Sequence, residues 1–201
     1  MIKNFLILIT ILALLSNISY SQNIDIEILR EININRNKSL DGTFVAISKS
    51  LVPVVVGIPG GMLSAGLIMK DSAMIRNAVI IGASVVTSAI VTKIMKTSIN
   101  RPRPYVTYPD IQKMNSGGSP SFPSGHTSGA FSLATSLSLE YQKWYVIVPS
   151  YAWASAVAYS RMDLGVHYPS DILMGAIVGA GSAYLCHYLN KKLFKNISIY
   201  K

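Results

Sequence analysis

Two apolar stretches, residues 44–69 and 73–95, follow one another across a short polar break, and each is long enough to cross a bilayer as a helix. In hydrocarbon every backbone N–H and C=O must find a partner within the protein, so such segments are held to helical geometry. Pro53, Pro59 and the Gly60-Gly61 pair are expected to kink the first of them. Three later stretches, 128–141, 145–159 and 172–189, are shorter or richer in small residues. Such helices suit the inside of a bundle, where small side chains let backbones approach and Ser or Thr bonds across. Half of the 201 residues are hydrophobic and 13% are charged, too apolar a balance for a typical soluble domain. The expected fold is all-α: a polytopic membrane helical bundle with about five transmembrane helices after an N-terminal signal segment.

The amino terminus reads as that signal. Lys3 precedes an apolar run at 5–15, and Ser19-Tyr20-Ser21 offers a small-x-small pattern for cleavage before Gln22. The run is shorter than the ~20 residues of a spanning helix, which favours a signal peptide at 1–21 over the alternative, a retained anchor. Residues 22–43 are more polar, with Ile24, Ile26, Ile28, Leu29, Ile32 and Ile34 recurring on mixed periods. An amphipathic helix on the membrane surface fits this stretch, a linker is the alternative, and nothing in it looks catalytic. The main helical domain is expected at 44–190, followed by a basic cytoplasmic tail at 191–201.

Basic residues exceed acidic ones, 18 to 9, a balance that points to nucleic acid where it forms a continuous patch. Here it does not, and nucleic acid is excluded as the expected partner. Lys70, Arg76, Lys143, Lys191, Lys192 and Lys195 flank the turns and the last helix at one end of the bundle, as the positive-inside rule requires of a cytoplasmic end. Lys93 departs from the pattern and is expected to snorkel at the outer interface. Cys186 is the only cysteine, so neither an internal disulfide nor a thiolate metal cluster is available.

Three polar islands fall at the opposite ends of these helices. The first pairs Lys96 with Arg103-Pro104; Arg101-Pro102 lacks a lysine at the matching offset, because Ile94 stands there. The second, Pro123-Ser124-Gly125-His126, ends a Gly, Ser and Pro-rich loop and opens a helix, presenting a hydroxyl and backbone N–H groups where partial positive charge favours an anion. The third holds Arg161, whose planar fork suits two phosphate oxygens, and His167 four positions before Asp171. A carboxylate folding back from the start of the last helix bonds one imidazole nitrogen and leaves the other to attack. Each island alone has a plainer reading: a basic juxtamembrane stop, a helix cap, a loop His with a capping Asp. Their order, spacing and shared membrane face make phosphoryl transfer the leading one.

These islands match, position by position, the signature of the type 2 phosphatidic acid phosphatase superfamily, which includes bacterial class A acid phosphatases and vanadium haloperoxidases; the stretch from about 44 to 190 resembles its core bundle. The resemblance implies that His167 attacks phosphorus to form a phosphohistidine, that Asp171 orients it, and that His126 protonates the departing oxygen and then activates water. It further implies that Lys96, Arg103, Arg161, Ser124 and the Gly125 amide hold the non-bridging oxygens. No metal or other cofactor enters that scheme. One departure is Asp163, where the family is more often apolar or aromatic; selection of a headgroup is one reading, and the expected one, as for most isolated loop charges, is that it faces solvent.

A pocket at the outer mouth of a bundle receives a phosphorylated headgroup while the acyl or prenyl chain stays in the bilayer. The expected substrate is thus a phosphorylated lipid, with undecaprenyl diphosphate, phosphatidylglycerol phosphate, phosphatidic acid and lipid A phosphates as candidates. The expected location is the bacterial inner membrane, with the site facing the periplasm. The 105–120 loop is the expected discriminator. The alternatives are a secreted class A-like acid phosphatase, a vanadate-dependent haloperoxidase, and a non-catalytic lipid-phosphate binding or transport protein. His187 lies too far along the last helix to join the site.

Overall fold

The computed structural model describes residues 18–114, 117–118 and 120–194; residues 1–17, most of the expected signal peptide, and 195–201, most of the expected tail, lie outside them. The described residues form helices and no strands. We label them α1 (Ile18–Ile34), α2 (Asp41–Lys49), α3 (Leu51–Met69), α4 (Ser72–Ile99), α5 (Gly125–Glu140), α6 (Trp144–Asp163) and α7 (Pro169–Phe194), with a single helical turn at Pro104–Thr107. α1 runs through the expected cleavage point before Gln22.

The stretch expected as one helix from 44 is divided at Ser50. Pro53 has no N–H for the carbonyl of Lys49, and its ring crowds that carbonyl, so the helix restarts there. α3 then continues through Pro59 to Met69, where Lys70 turns left-handed (φ 55°) and Asp71 caps α4 by accepting from the N–H groups of Ala73 and Met74.

α4 shows why the bundle belongs in a membrane. Ser84, Ser88, Thr92 and Lys96, spaced at four, are buried, while Val79, Val86, Ile90 and Ile94 are 55–59% exposed. Polar in and apolar out is the reverse of a soluble helix. By length and hydropathy, three segments suffice to span: Lys38–Met69, Ser72–Thr107 and Pro169–Leu193. The shorter α5 packs mainly against α7, and also against α4 and α6.

α5 and α7 meet without intervening side chains. A Cβ on Gly179 would lie 2.3 Å from the carbonyl oxygen of Ser128, and one on Gly175 would lie 2.7 Å from that of Ser124. Glycine at these two positions sets the helix separation, and with it the distance between the second and third islands.

The antiparallel alternation puts the α3–α4 turn, the α5–α6 turn and the end of α7 together. There His187 Nδ1 lies 2.7 Å from Glu140 Oε1, far from the islands as expected. All three islands lie at the other end. Over them lies α1, whose Ile26 and Leu29 are buried with Ile111 and Tyr168. Asn33, fully buried, donates to the carbonyls of Gln112 (3.0 Å) and Asp163 (2.7 Å) and accepts from the Gln112 N–H (2.8 Å). Within the 22–43 stretch, residues 22–34 are thus helical, and one face of that helix is docked on the connecting loops.

Candidate active site

Backbone bonds stitch the three islands together. The Ser121 N–H donates to the Arg101 carbonyl (2.8 Å), and the Ser124 N–H to the Asp171 carbonyl (3.0 Å). Arg103 Nη1 donates to the carbonyl of Val166 (2.7 Å). Lys96, in the last turn of α4, donates through Nζ to the carbonyls of Pro120 and Ser121. The chain leaves α4 at Asn100, left-handed at φ 48°, and prolines 102 and 104 keep it from resuming that helix.

His167 sits in the loop between α6 and α7, and α7 opens at Pro169, so Asp171 lies in its first turn. Asp171 Oδ2 accepts from the Tyr168 N–H (3.0 Å) and from the Ser121 hydroxyl, and lies 3.2 Å from His167 Nδ1. The other imidazole nitrogen, Nε2, faces Arg103 Nη1 at 3.4 Å. Burial pushes the His167 imidazole down to about 4; Asp171 opposes this, while Arg103 and Arg161 reinforce it. The ring is therefore neutral at physiological pH. With its proton held on Nδ1 by the carboxylate, a lone pair is left on Nε2.

Ser124 is the N-cap of α5: its Oγ accepts from the Thr127 N–H (3.4 Å) and from the Thr127 hydroxyl (2.9 Å), leaving its own hydrogen to donate elsewhere. The capping reading of Ser124 and the anion-binding reading are thus compatible. Gly125 and His126 form the first residues of the helix, with N–H groups no earlier turn can satisfy. The His126 ring lies within electrostatic reach of Arg161, His167, Arg103 and Lys96. Arg161 is 2% exposed; its Nη1 donates to the Ser48 hydroxyl on α2, and its Nε has no hydrogen-bond partner among the described residues. A buried guanidinium N–H left in this way is a donor awaiting an acceptor.

All eight candidate residues thus meet at one end of the bundle. Asp163 does not face solvent as expected: it is 2% exposed, in the last turn of α6 beneath Asn33 of α1. The sequence reading had no docked helix to cover it.

Three neighbours were not anticipated. Ser121 bonds Asp171, and Arg101 bonds both Asp171 Oδ1 (2.9 Å) and Asp25 Oδ2 (2.7 Å). These contacts join residues 50 to 76 positions apart, beyond the reach of any local spacing. The available signal was an acid, Asp25, next to Ile26 and on the helix face that also carries Leu29 and Asn33.

A helical bundle holding two imidazoles, a carboxylate and several buried cations at one mouth defines a class of phosphate-handling membrane protein. The chain belongs to the PAP2 superfamily, whose pattern matches residues 77–195. Among relatives, it is 36% identical over 77 residues to the "Lipid A 4'-phosphatase" of Bacteroides thetaiotaomicron (38% of this chain, 34% of that protein). It is 38% identical over 79 residues to the "Lipid A 1-phosphatase" of Porphyromonas gingivalis (38% of this chain, 18% of that protein). It is 35% identical over 96 residues to the "Bacitracin transport permease protein BcrC" of Bacillus licheniformis (45% of this chain, 44% of that protein). The matches thus span less than half of these relatives. Among solved structures, Aquifex aeolicus LpxE superposes with a TM-score of 0.71 at 25% identity, covering 82% of this chain and 95% of that one. The transmembrane PAP2 type phosphatidylglycerolphosphate phosphatase of Bacillus subtilis superposes with a TM-score of 0.69 at 25% identity, covering 94% and 95%.

Proposed function

We propose that this protein is a membrane-embedded phosphatase that hydrolyses a phosphomonoester or diphosphate of a lipid at the outer face of the bacterial inner membrane, through a phosphohistidine intermediate. The observation that carries the reading is His167: buried, neutral, tied through Nδ1 to Asp171 and turning Nε2 towards Arg103.

Nε2 of His167 attacks phosphorus as the bond to the lipid oxygen breaks, and the electron pair leaves with that oxygen. His126 supplies its proton; the negative charge of bound phosphate lets this imidazole carry one among so many cations. A water molecule then gives its proton to His126 and attacks the phosphohistidine, releasing inorganic phosphate and restoring both rings. Lys96, Arg103, Arg161, the Ser124 hydroxyl and the Gly125 N–H stabilise the non-bridging oxygens.

A lateral groove supports a lipid substrate. It measures ≈ 290 Å³, is walled by Leu51, Val55, Val85 and Ala89 of α3 and α4, and ends at Lys96 and Gly125. An acyl or prenyl chain lying there stays in an apolar environment while its phosphate meets the cage. The outward orientation is supported by Lys70, Lys143, Lys191 and Lys192 at the opposite end.

The test is release of inorganic phosphate by the purified full chain from undecaprenyl diphosphate, phosphatidylglycerol phosphate, phosphatidic acid and lipid A. Release by wild type, with none by His167→Ala, is expected; equal release by the variant, or none from any lipid, overturns the reading.

A further inference from the structure

We propose that Asp25 and Arg101 are positioning residues for the nucleophile: a chain of ion pairs running down from α1 holds the Asp171 carboxylate against Nδ1 of His167. This deepens the phosphatase reading and rests on it.

The two oxygens of Asp171 have different work. Oδ2 serves His167, the Tyr168 N–H and the Ser121 hydroxyl, whereas Oδ1 takes the Arg101 Nη1 at 2.9 Å. Without Arg101, a fully buried carboxylate keeps donors on one side alone, and rotation can exchange the oxygen facing the imidazole.

Arg101 is itself fixed on three sides. Its Nη2 donates to Asp25 Oδ2 at 2.7 Å, its Nη1 also reaches the Ser170 hydroxyl at 2.7 Å, and its guanidinium lies 3.8 Å from the centre of the Tyr168 ring. Asp25 in turn accepts from the Ser170 N–H at 2.8 Å and from the Ser170 hydroxyl. It thereby grips the start of α7 as well as the arginine.

α1 brings Asp25 to this place by packing Ile26 and Leu29 on Ile111 and Tyr168. Tyr168 directly follows His167, so one helix clamps both the carboxylate that orients the ring and the residue beside it. Arg101 reaches Asp171 directly and Asp25 reaches it through Arg101, so both are assigned to act through that carboxylate. The Arg101 charge also tempers the basicity of that carboxylate, which keeps the Nδ1 proton on the ring and the lone pair on Nε2.

The experiment measures kcat, KM and the pH dependence of kcat/KM for the full-length protein in detergent micelles on whichever of undecaprenyl diphosphate, phosphatidylglycerol phosphate, phosphatidic acid and lipid A wild type hydrolyses fastest, with thermal unfolding of each variant. Arg101→Gln is expected to lower kcat by about 10- to 100-fold with little change in KM. Arg101→Lys, which keeps the charge but not the fork, recovers part of the loss. Asp25→Asn, a near-isosteric change, lowers kcat in the same sense.

The pH profile separates positioning from folding. Asp171, Arg103, Arg161 and His126 face His167 in every variant, so Arg101→Gln removes one cation from an otherwise constant field. The acid limb of kcat/KM moves to higher pH in Arg101→Gln and does not in Asp25→Asn, which removes an anion. A purely structural role lowers Tm and leaves the limb in place. Arg30→Gln, which breaks the exposed pair with Asp110 elsewhere on α1, behaves as wild type. Unchanged kcat and acid limb in both Arg101→Gln and Asp25→Asn overturn the inference while leaving the phosphatase reading intact. Absence of turnover by wild type takes down both.

Discussion

Replacing Gly179 with alanine adds one methyl group, and the structure dictates where it goes. It would stand 2.3 Å from the Ser128 carbonyl oxygen, 2.8 Å from the Ser132 nitrogen and 3.1 Å from Cβ of Phe131. Two of these are backbone atoms of α5 and cannot swing aside. α5 must retreat from α7 by roughly 1 Å to restore ordinary contact. Ser128 follows His126 by two residues, so the retreat draws His126 away from His167 and stretches the 3.0 Å bond from Ser124 to Asp171. A misplacement of that size costs about 10²-fold in rate. Overpacking costs about 1–3 kcal/mol, or about 2–12 °C in Tm for a chain of this length. Gly181→Ala is the matched control, since its added Cβ meets nothing within 4 Å. Phosphate release from a lipid phosphate and thermal unfolding, measured on both variants, decide the matter. Wild-type kcat and Tm in Gly179→Ala refute the claim that this helix contact sets the catalytic distance.

Four further outcomes are expected. His126→Ala lowers turnover of lipid phosphates by about 10²–10⁴-fold but spares aryl phosphates with good leaving groups, a contrast read by comparing the two substrates. The acid limb of kcat/KM lies near pH 4, not at the ordinary histidine value of 6.5, because His167 loses its lone pair only when protonated; a limb that follows the substrate's own phosphate ionisation is identified by changing the substrate. Asn33→Ala strands the Gln112 N–H and two carbonyls beneath α1 and costs about 2–3 kcal/mol, seen as a lower Tm. Inorganic phosphate at about a hundred times its Kd raises stability by about 2.7 kcal/mol in wild type, and by less in Arg161→Gln, as followed by thermal unfolding.

The helices were legible because the membrane writes them in apolar runs. The stretches expected from 73, 128, 145 and 172 correspond to α4, α5, α6 and α7, each extended by a few residues into polar ends that hydropathy cannot recognise. Pro53 is among the kinks expected in the first apolar stretch, and the interruption falls at Ser50, just before it, where the carbonyl of Lys49 lacks the N–H that Pro53 cannot supply. The convergence of the eight candidate residues was legible for a different reason: each island is local, and the up-and-down path of the helices brings their ends together. Asp25, Arg101 and Ser121 were not, since their contacts depend on how α1 and the loops settle over the bundle. The comparison of the two Arg-Pro pairs matched Lys96 with Arg103 and left Arg101 without a partner, and a charge at a membrane interface needs one.

Charge accounts for the arrangement of the whole mouth. Lys96, Arg101, Arg103 and Arg161 converge there, and the carboxylates within their network are Asp25 and Asp171. Both carboxylates pair with Arg101, which therefore carries an ion pair at each of its two terminal nitrogens. That pairing separates two tasks. The pairs on Arg101 are closed and, in the proposed reading, orient the nucleophile; Lys96, Arg103 and Arg161 face the proposed phosphate site, and Arg161 keeps an Nε–H with no hydrogen-bond partner among the described residues. An extra carboxylate on the open side would compete with phosphate for these cations, whereas one placed on α1, behind Arg101, strengthens the nucleophile's support without filling the cage. The position of Asp25 on the helix that roofs the site follows from this requirement.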